Sequence, residues 1–277
     1  LHYFSLSSIH HRMSPMQPVC LITGASAGIG AALARTFARA GHALVLTARR
    51  EAQLAALAEE ITAAGDTRPH VIAADLASPD GRALLAEGLL AQGLEPAIVV
   101  NNAGFGLLGE AVGLERARQL AMIDLNIHAL TDLSLRWLPS ITRHRGGILN
   151  VASVAGFLPG PGMAVYHATK AYVVSFSEAL HQELANDGVR VCALCPGPVE
   201  TEFFEQAGVP DDYFPAFLNR SAERVAREGY EGFMGGHRVV VPGKPNRVVT
   251  LLPRLLPRGL VLAIAEWRWN RANRHGG

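Results

Sequence analysis

Thr23-Gly24-Ala25-Ser26-Ala27-Gly28-Ile29-Gly30 decides the fold. The short apolar run Val19–Thr23 precedes it and reads as a strand. The run Ile29–Ala40 follows it and reads as a helix, closed by Gly41. Glycines let a chain turn sharply and let its backbone approach a bulky anion with no Cβ in the way. The helix that opens here offers free N–H groups and the positive end of its dipole, which is where phosphates bind. Glycine spacing alone is a weak signal. A strand before and a helix after, at the first such unit of the chain, strengthens it.

Working outward, strand-like and helix-like segments alternate. Ala43–Thr47 is a strand and Glu51–Ala64 a helix; His70–Ala74 is a strand and Asp80–Ala91 a helix. Ala97–Val100 is a strand, followed by one long helix over Leu114–Leu138 ended by Pro139. Gly147–Val151 is a strand, Ala164–Asn186 a helix and Val189–Leu194 a strand. The strands are apolar without alternation, the pattern of strands buried on both faces. Right-handed crossovers then predict an α/β fold, a doubly wound parallel sheet of Rossmann type, as a single domain with a lid and a C-terminal helical extension.

Composition agrees. The 277 residues are 49% hydrophobic and 18% charged, enough for a large core, and the net charge of +1 gives no basic field for nucleic acid. Cys20, Cys192 and Cys195 are too few for a disulfide framework. Cys192 and Cys195 lie three apart along a strand, so they point to opposite faces and read as packing thiols rather than a metal pair. No histidine has metal-ligand spacing. Residues 1–17 carry no secretory pattern and read as a disordered extension or a cloning remnant. Residues 18–245 form the domain, and 246–277 a basic amphipathic C-terminal extension. No apolar run is long enough to span a bilayer, and a cytoplasmic location is the expectation.

Several further segments fall into one order. Asn101-Asn102-Ala103-Gly104 follows the fourth strand, and Asp75 ends the third. Asn126, Ser153, Tyr166 and Lys170 come next, then Pro196-Gly197 with Thr201. With T-G-x-x-x-G-x-G at Thr23–Gly30, this set resembles the short-chain dehydrogenase/reductase family over roughly Val19 to Val241. The resemblance implies a catalytic set of Ser153, Tyr166, Lys170 and Asn126, with Asn126 holding a water that links Lys170 to solvent. It implies cofactor contacts from Gly24, Ser26, Gly28, Ile29, Gly30, Arg49, Arg50, Asp75, Leu76, Asn102, Ala103, Gly104, Tyr166, Lys170, Pro196, Gly197, Val199 and Thr201. Asp75 is the adenine contact, and Lys170 also binds the nicotinamide ribose. No metal is implied.

The residues themselves support that chemistry. Tyr166 and Lys170 are four apart, hence on one helix face. A free tyrosine has a pKa of ~10, and a nearby lysine cation, together with the oxidised nicotinamide, is expected to stabilise the phenolate and lower it. Ser153 ends a strand and can hold a substrate oxygen in line with Tyr166. His167 points about 100° away from Tyr166 and reads as surface or packing. The second strand ends in Thr47-Ala48-Arg49-Arg50 with no carboxylate. An acidic residue there would bind a ribose 2′-hydroxyl, whereas arginine suits a 2′-phosphate. NADP(H) is therefore the expected cofactor, with Arg49 the phosphate ligand and Arg50 in support.

For the substrate, Val154–Met163, Phe105–Leu108 and the aromatic stretch Glu200–Leu218 favour a small apolar carbonyl or alcohol; packing of the lid on the body is the equal alternative for those aromatics. After Val241, Arg247–Arg274 mixes Leu and Val with arginine and Trp, interrupted by Pro253 and Pro257. It suits self-association or docking on the body, with membrane-surface contact the lesser reading. The expected protein is thus an NADP(H)-dependent carbonyl/alcohol oxidoreductase and a homo-oligomer. A 3-oxoacyl (fatty-acyl) reductase is the alternative. A non-catalytic NADP(H)-binding regulatory protein is the alternative of another class.

Overall fold

Strand β1 (Gln17–Thr23) starts a run of seven: β2 (Leu44–Ala48), β3 (His70–Ala73), β4 (Leu94–Asn101), β5 (Gly147–Val151), β6 (Arg190–Leu194) and β7 (Val239–Val240). In this computed structural model, which describes residues 16–210 and 213–274, they form one sheet in the order β3-β2-β1-β4-β5-β6-β7. Every pairing is parallel. Between them come α1 (Gly28–Arg39), α2 (Glu51–Ala63), α3 (Pro79–Ala91), α4 (Arg116–Ile123), α5 (Leu130–Arg136), α6 (Leu138–Arg143), α7 (Ala164–Glu183), α8 (Glu202–Ala207) and α9 (Ala222–Met234), and after β7 α10 (Lys244–Leu255) and α11 (Arg258–Arg274). Residues 1–15, most of the expected extension, lie outside the described residues; Gln17 already belongs to β1.

The strand period of two explains why apolar strands need no alternation here. Cys20 and Ile22 enter one core with Leu33 and Phe37 of α1, Leu54 of α2 and Phe233 of α9. Val19 and Leu21 enter the other with Leu85 and Leu89 of α3 and Leu133 of α5. The same alternation separates the C-terminal thiols: Cys192 joins the first core, and Cys195 packs with Val173 and Val174 of α7. All three cysteines are free and buried. A polar chain runs between the layers: Asn101 Nδ2 donates to Asn150 Oδ1 and to Ser134 Oγ, each at 2.9 Å, and Asn150 Nδ2 donates to Ser177 Oγ at 2.9 Å. Buried amides without such partners would carry a desolvation cost.

Two expectations need correction. The single helix over Leu114–Leu138 is instead α4, a π-helical turn over Asp124–Ala129, then α5. Pro139 does not end it; Pro139 lies in the first turn of α6, where its missing N–H has no helical partner to lose. Likewise Pro253 lies inside α10, which runs two residues past it. Pro257 does break the chain, with Leu256 extended before it at φ −96°, ψ 146°.

Candidate active site

The strand order reverses between β1 and β4, and a crevice opens at the carboxyl ends of the strands there. It holds a cavity of about 400 Å³. Its floor is the turn after β1. Gly24 and Gly28 have φ of 64° and 55°, a left-handed conformation that a side chain would strain. A Cβ on Gly30 would stand 2.2 Å from Gly24 O and 2.4 Å from Asn102 Nδ2. Ala27 starts α1 with no side-chain cap, so the first N–H groups of the helix are free for a ligand.

Thr23 fastens this turn to β4. Its Oγ1 accepts from the N–H groups of Asn102 and Ala103, both at 3.0 Å. Asn102 Nδ2 returns bonds to Thr23 O at 2.9 Å and Gly24 O at 3.1 Å. The glycine turn and the Asn102-Ala103-Gly104 segment are therefore one unit.

At one end the cavity is lined by Arg49, Arg50, Asp75 and Leu76. Arg50 donates to Ser26 Oγ from Nε and Nη2 at 3.3 and 3.2 Å, and its Nη1 lies 2.9 Å from Glu202. Arg49 has no ion-pair or hydrogen-bond partner among the described residues. Asp75 Oδ1 accepts from Ala77 N at 3.1 Å, which fixes the turn into α3.

At the other end Ser153, Tyr166 and Lys170 line the same cavity. Ser153 caps the 3-10 turn Val154–Phe157, its Oγ accepting from Ala155 N at 3.1 Å, and it also hydrogen-bonds the Tyr166 side chain. Lys170 Nζ donates to Val151 O at 2.8 Å and lies 5.8 Å from the Tyr166 ring centroid. Burial pushes the Tyr166 hydroxyl up to about 12, against the lowering effect of its bond to Ser153. Burial likewise brings Lys170 down to about 8. Within the protein alone, desolvation sets the direction of the Tyr166 shift.

Asn126 is buried in the π-helical turn. Its side chain clasps the backbone of Phe105, donating to O at 3.0 Å and accepting from N at 3.1 Å, and it donates to Thr169 Oγ1 at 3.1 Å. A Cβ on Gly104 would stand 2.9 Å from Asn126 Oδ1 and 3.7 Å from Lys170 Nζ, so these groups converge. π-Helical turns recur at functional sites. Pro196, Gly197, Val199 and Thr201 complete the wall, with Thr201 capping α8.

Beside Ser153 and Tyr166 the cavity is lined by Leu158, Pro159, Met163, Phe203, Phe204, Tyr213 and Phe214. Phe203 meets the Tyr166 ring at 5.6 Å between centroids. Phe217 faces solvent. Phe105–Leu108 does not line the cavity: Phe105, Leu107 and Leu108 pack in the cluster behind Tyr166, because the clasp from Asn126 turns the loop inward. His167 is a wall residue; its Nδ1 donates to Leu158 O at 2.8 Å, and burial lowers its pKa. Sequence reasoning missed Thr23 and Thr169 as fasteners, Glu202 as the partner of Arg50, and the contribution of Asn246, Val249, Ala265 and Arg268 to the cavity wall. Thr23 stands inside the quoted motif and carried that signal; the others depend on contacts distant in sequence.

A glycine cradle at an uncapped helix, joined in one crevice to Ser153, Tyr166 and Lys170, defines a nicotinamide-dependent oxidoreductase of carbonyl and alcohol groups. Comparison with known proteins agrees. The short chain dehydrogenase family profile matches residues 18–210, and the chain belongs to that family. It is 39% identical over 191 residues to sulfoacetaldehyde reductase 2 of Chromohalobacter salexigens, covering 68% of this chain and 75% of that one. It is 37% identical over 194 residues to serine 3-dehydrogenase of Agrobacterium fabrum, covering 68% and 74%. A short-chain dehydrogenase from Sphingobium yanoikuyae, solved with NADPH, superposes with a TM-score of 0.75 at 35% identity, covering 82% of this chain and 89% of that one. No described helix is long and apolar enough to cross a membrane.

Proposed function

We propose that this protein is an NADP(H)-dependent oxidoreductase that interconverts a carbonyl and an alcohol on a small, largely apolar substrate, with Tyr166 as general acid and base. The observation that carries it is the convergence of Ser153, Tyr166 and Lys170 in the same crevice as Arg49 and Arg50. The cofactor fits what is there. Gly24, Gly28 and Gly30 let the turn pack against Asn102, Ala103 and Thr201 with no Cβ in the way, and the uncapped start of α1 beside them offers free N–H groups that suit a pyrophosphate. Arg49 lines the cavity with no partner among the described residues, and its guanidinium suits a 2′-phosphate. Bound nicotinamide supplies or accepts a hydride.

The protein's own groups do the rest. Ser153 holds the substrate oxygen and orients it toward Tyr166. Tyr166 gives its proton to the alkoxide that develops on reduction, and takes it back on oxidation. A hydroxyl held near 12 is a poor proton donor at neutral pH, so the reaction needs added positive charge beside it. Lys170 is the protein's cation there, and Val151 O and burial hold it in place. Asn126 positions the loop at Phe105 and the start of α7 through Thr169. The aromatic wall keeps water off the reacting carbon, and its composition supports an apolar substrate.

The test is oxidation of NADPH beside NADH across ketones, aldehydes, quinones and 3-oxoacyl thioesters, with Tyr166→Phe as control. Turnover with NADPH is expected, reduced about 10²–10⁴-fold in the variant. Binding of NADPH without turnover on any member would overturn the reading.

A further inference from the structure

Helix α10 is built inside out. Its inward positions are Asn246 and Thr250, 1% and 6% exposed, while Val248 and Leu255 are 54% and 80% exposed, with Leu251 and Leu252 exposed beside them. Val248, Leu251, Leu252 and Leu255 are spaced i, i+3, i+4, i+7, so they form one stripe. The inward polar face has its reasons: Asn246 Nδ2 donates to Leu218 O at 3.2 Å and Pro242 O at 3.0 Å. The outward apolar stripe has none within the fold.

Helix α11 also carries an outward apolar stripe, although its inner face is apolar too. Val261 and Trp269 are buried and Ala265 lines the cavity, at spacing i, i+4, i+8. Trp269 packs on the substrate-side loop, where a Cβ on Gly162 would stand 2.2 Å from its ring. Leu260, Ile264 and Trp267 lie on the opposite side, all exposed. The Arg271 guanidinium lies 5.5 Å from the centre of the Trp267 ring.

Charge is divided the same way. Of 25 basic and 24 acidic residues in the chain, 7 and 1 lie in 244–277, leaving 18 and 23 in the residues before. The segment with the outward apolar stripes is strongly positive, and the rest of the chain is negative. Two copies meeting through these stripes would bring like charges together. A negatively charged lipid surface would attract the segment and repel the body, which also sets the orientation.

We propose that the outward faces of α10 and α11 seat this protein on an anionic lipid surface. The leucines and Trp267 enter the boundary between headgroups and acyl chains, while arginines reach the headgroups. No described helix can cross the bilayer, so the segment lies in the interface plane. The inner faces of the same helices wall the cavity through Val249, Ala265 and Arg268. The lipid surface is thereby placed next to the mouth used by an apolar substrate.

The experiment is co-sedimentation of the full chain with phosphatidylcholine vesicles, with and without phosphatidylglycerol, alongside sedimentation velocity without lipid. Binding is expected on the anionic vesicles, at least about tenfold weaker on neutral ones and weakened by salt. Leu251→Gln/Leu255→Gln/Trp267→Gln should abolish it, and Arg258→Gln/Arg271→Gln should weaken it, each with an unchanged melting temperature. The charge variant keeps the apolar stripes, so it tests the proposal even if the first variant is unstable. Failure to sediment with anionic vesicles overturns the proposal, as does equal binding to neutral ones. A dimer that the triple variant converts to monomer, with no vesicle binding, would assign the face to a second copy instead.

Discussion

At the residue scale, Lys170 and Arg49 are the two cations on which the reading turns. Burial holds Lys170 at about 8, below its ordinary 10.5. Between those values the unfolded chain binds a proton that the folded one does not, so this group makes stability rise with pH across that window. Below about 8 the folded protein carries the full burden of the buried charge, roughly 3 kcal/mol. Lys170→Met should therefore melt above the wild type near neutrality, and the difference should shrink as pH rises from about 8 to 10.5. Thermal melts across that range check it; a pH-independent difference would mean the lysine is not held down by burial. Arg49, just after β2, has no ion-pair or hydrogen-bond partner among the described residues. Arg49→Asp should cut the NADPH-over-NADH preference in kcat/KM by about 10–100-fold, the worth of a charge-assisted bond to phosphate. An unchanged ratio would transfer the role to Arg50, whose engagement with Ser26 and Glu202 argues against it.

At the element scale, the phosphate turn stands or falls with its attachment to β4. Thr23 Oγ1 receives two backbone N–H groups. Thr23→Val keeps the shape, leaves the Ala103 amide without a partner and leaves Asn102 N–H with Val100 O alone, at about 1–3 kcal/mol. Urea unfolding should show that loss, and NADPH titration a weaker affinity. A variant that loses stability but binds NADPH unchanged would separate the turn from the cofactor. The elements also show what a sequence can and cannot convey. Glycine punctuation and unbroken apolar runs made β1 through β6 and their helices legible, because period and turn chemistry are local. The π-helical turn at Asn126 was not legible: it has ordinary helical composition, and the partners of Asn126 within it, Phe105 and Thr169, come from across the fold. The end of the long helix was misread because proline inside a helix and proline opening one look alike in sequence; only the turn at Trp137 distinguishes them.

At the scale of the whole molecule, the parallel sheet with its switch point between β1 and β4 brings together residues more than a hundred positions apart. The residues proposed as catalytic could be picked out from their order, and Ser153, Tyr166 and Lys170 line one crevice. Their surroundings could not, since α10 and α11 reach the cavity from the far end of the chain, and the inside-out character of α10 appears only once burial is known. The central claim is that the crevice moves a hydride between nicotinamide and a carbonyl carbon. Its most direct test is incubation with NADPH deuterated at the transferring position of the nicotinamide C4, using the best carbonyl substrate and analysing the alcohol by mass spectrometry. The account predicts one deuterium on the former carbonyl carbon, at a rate that collapses in Tyr166→Phe. Alcohol formed without deuterium, or at equal rate in the variant, would contradict it.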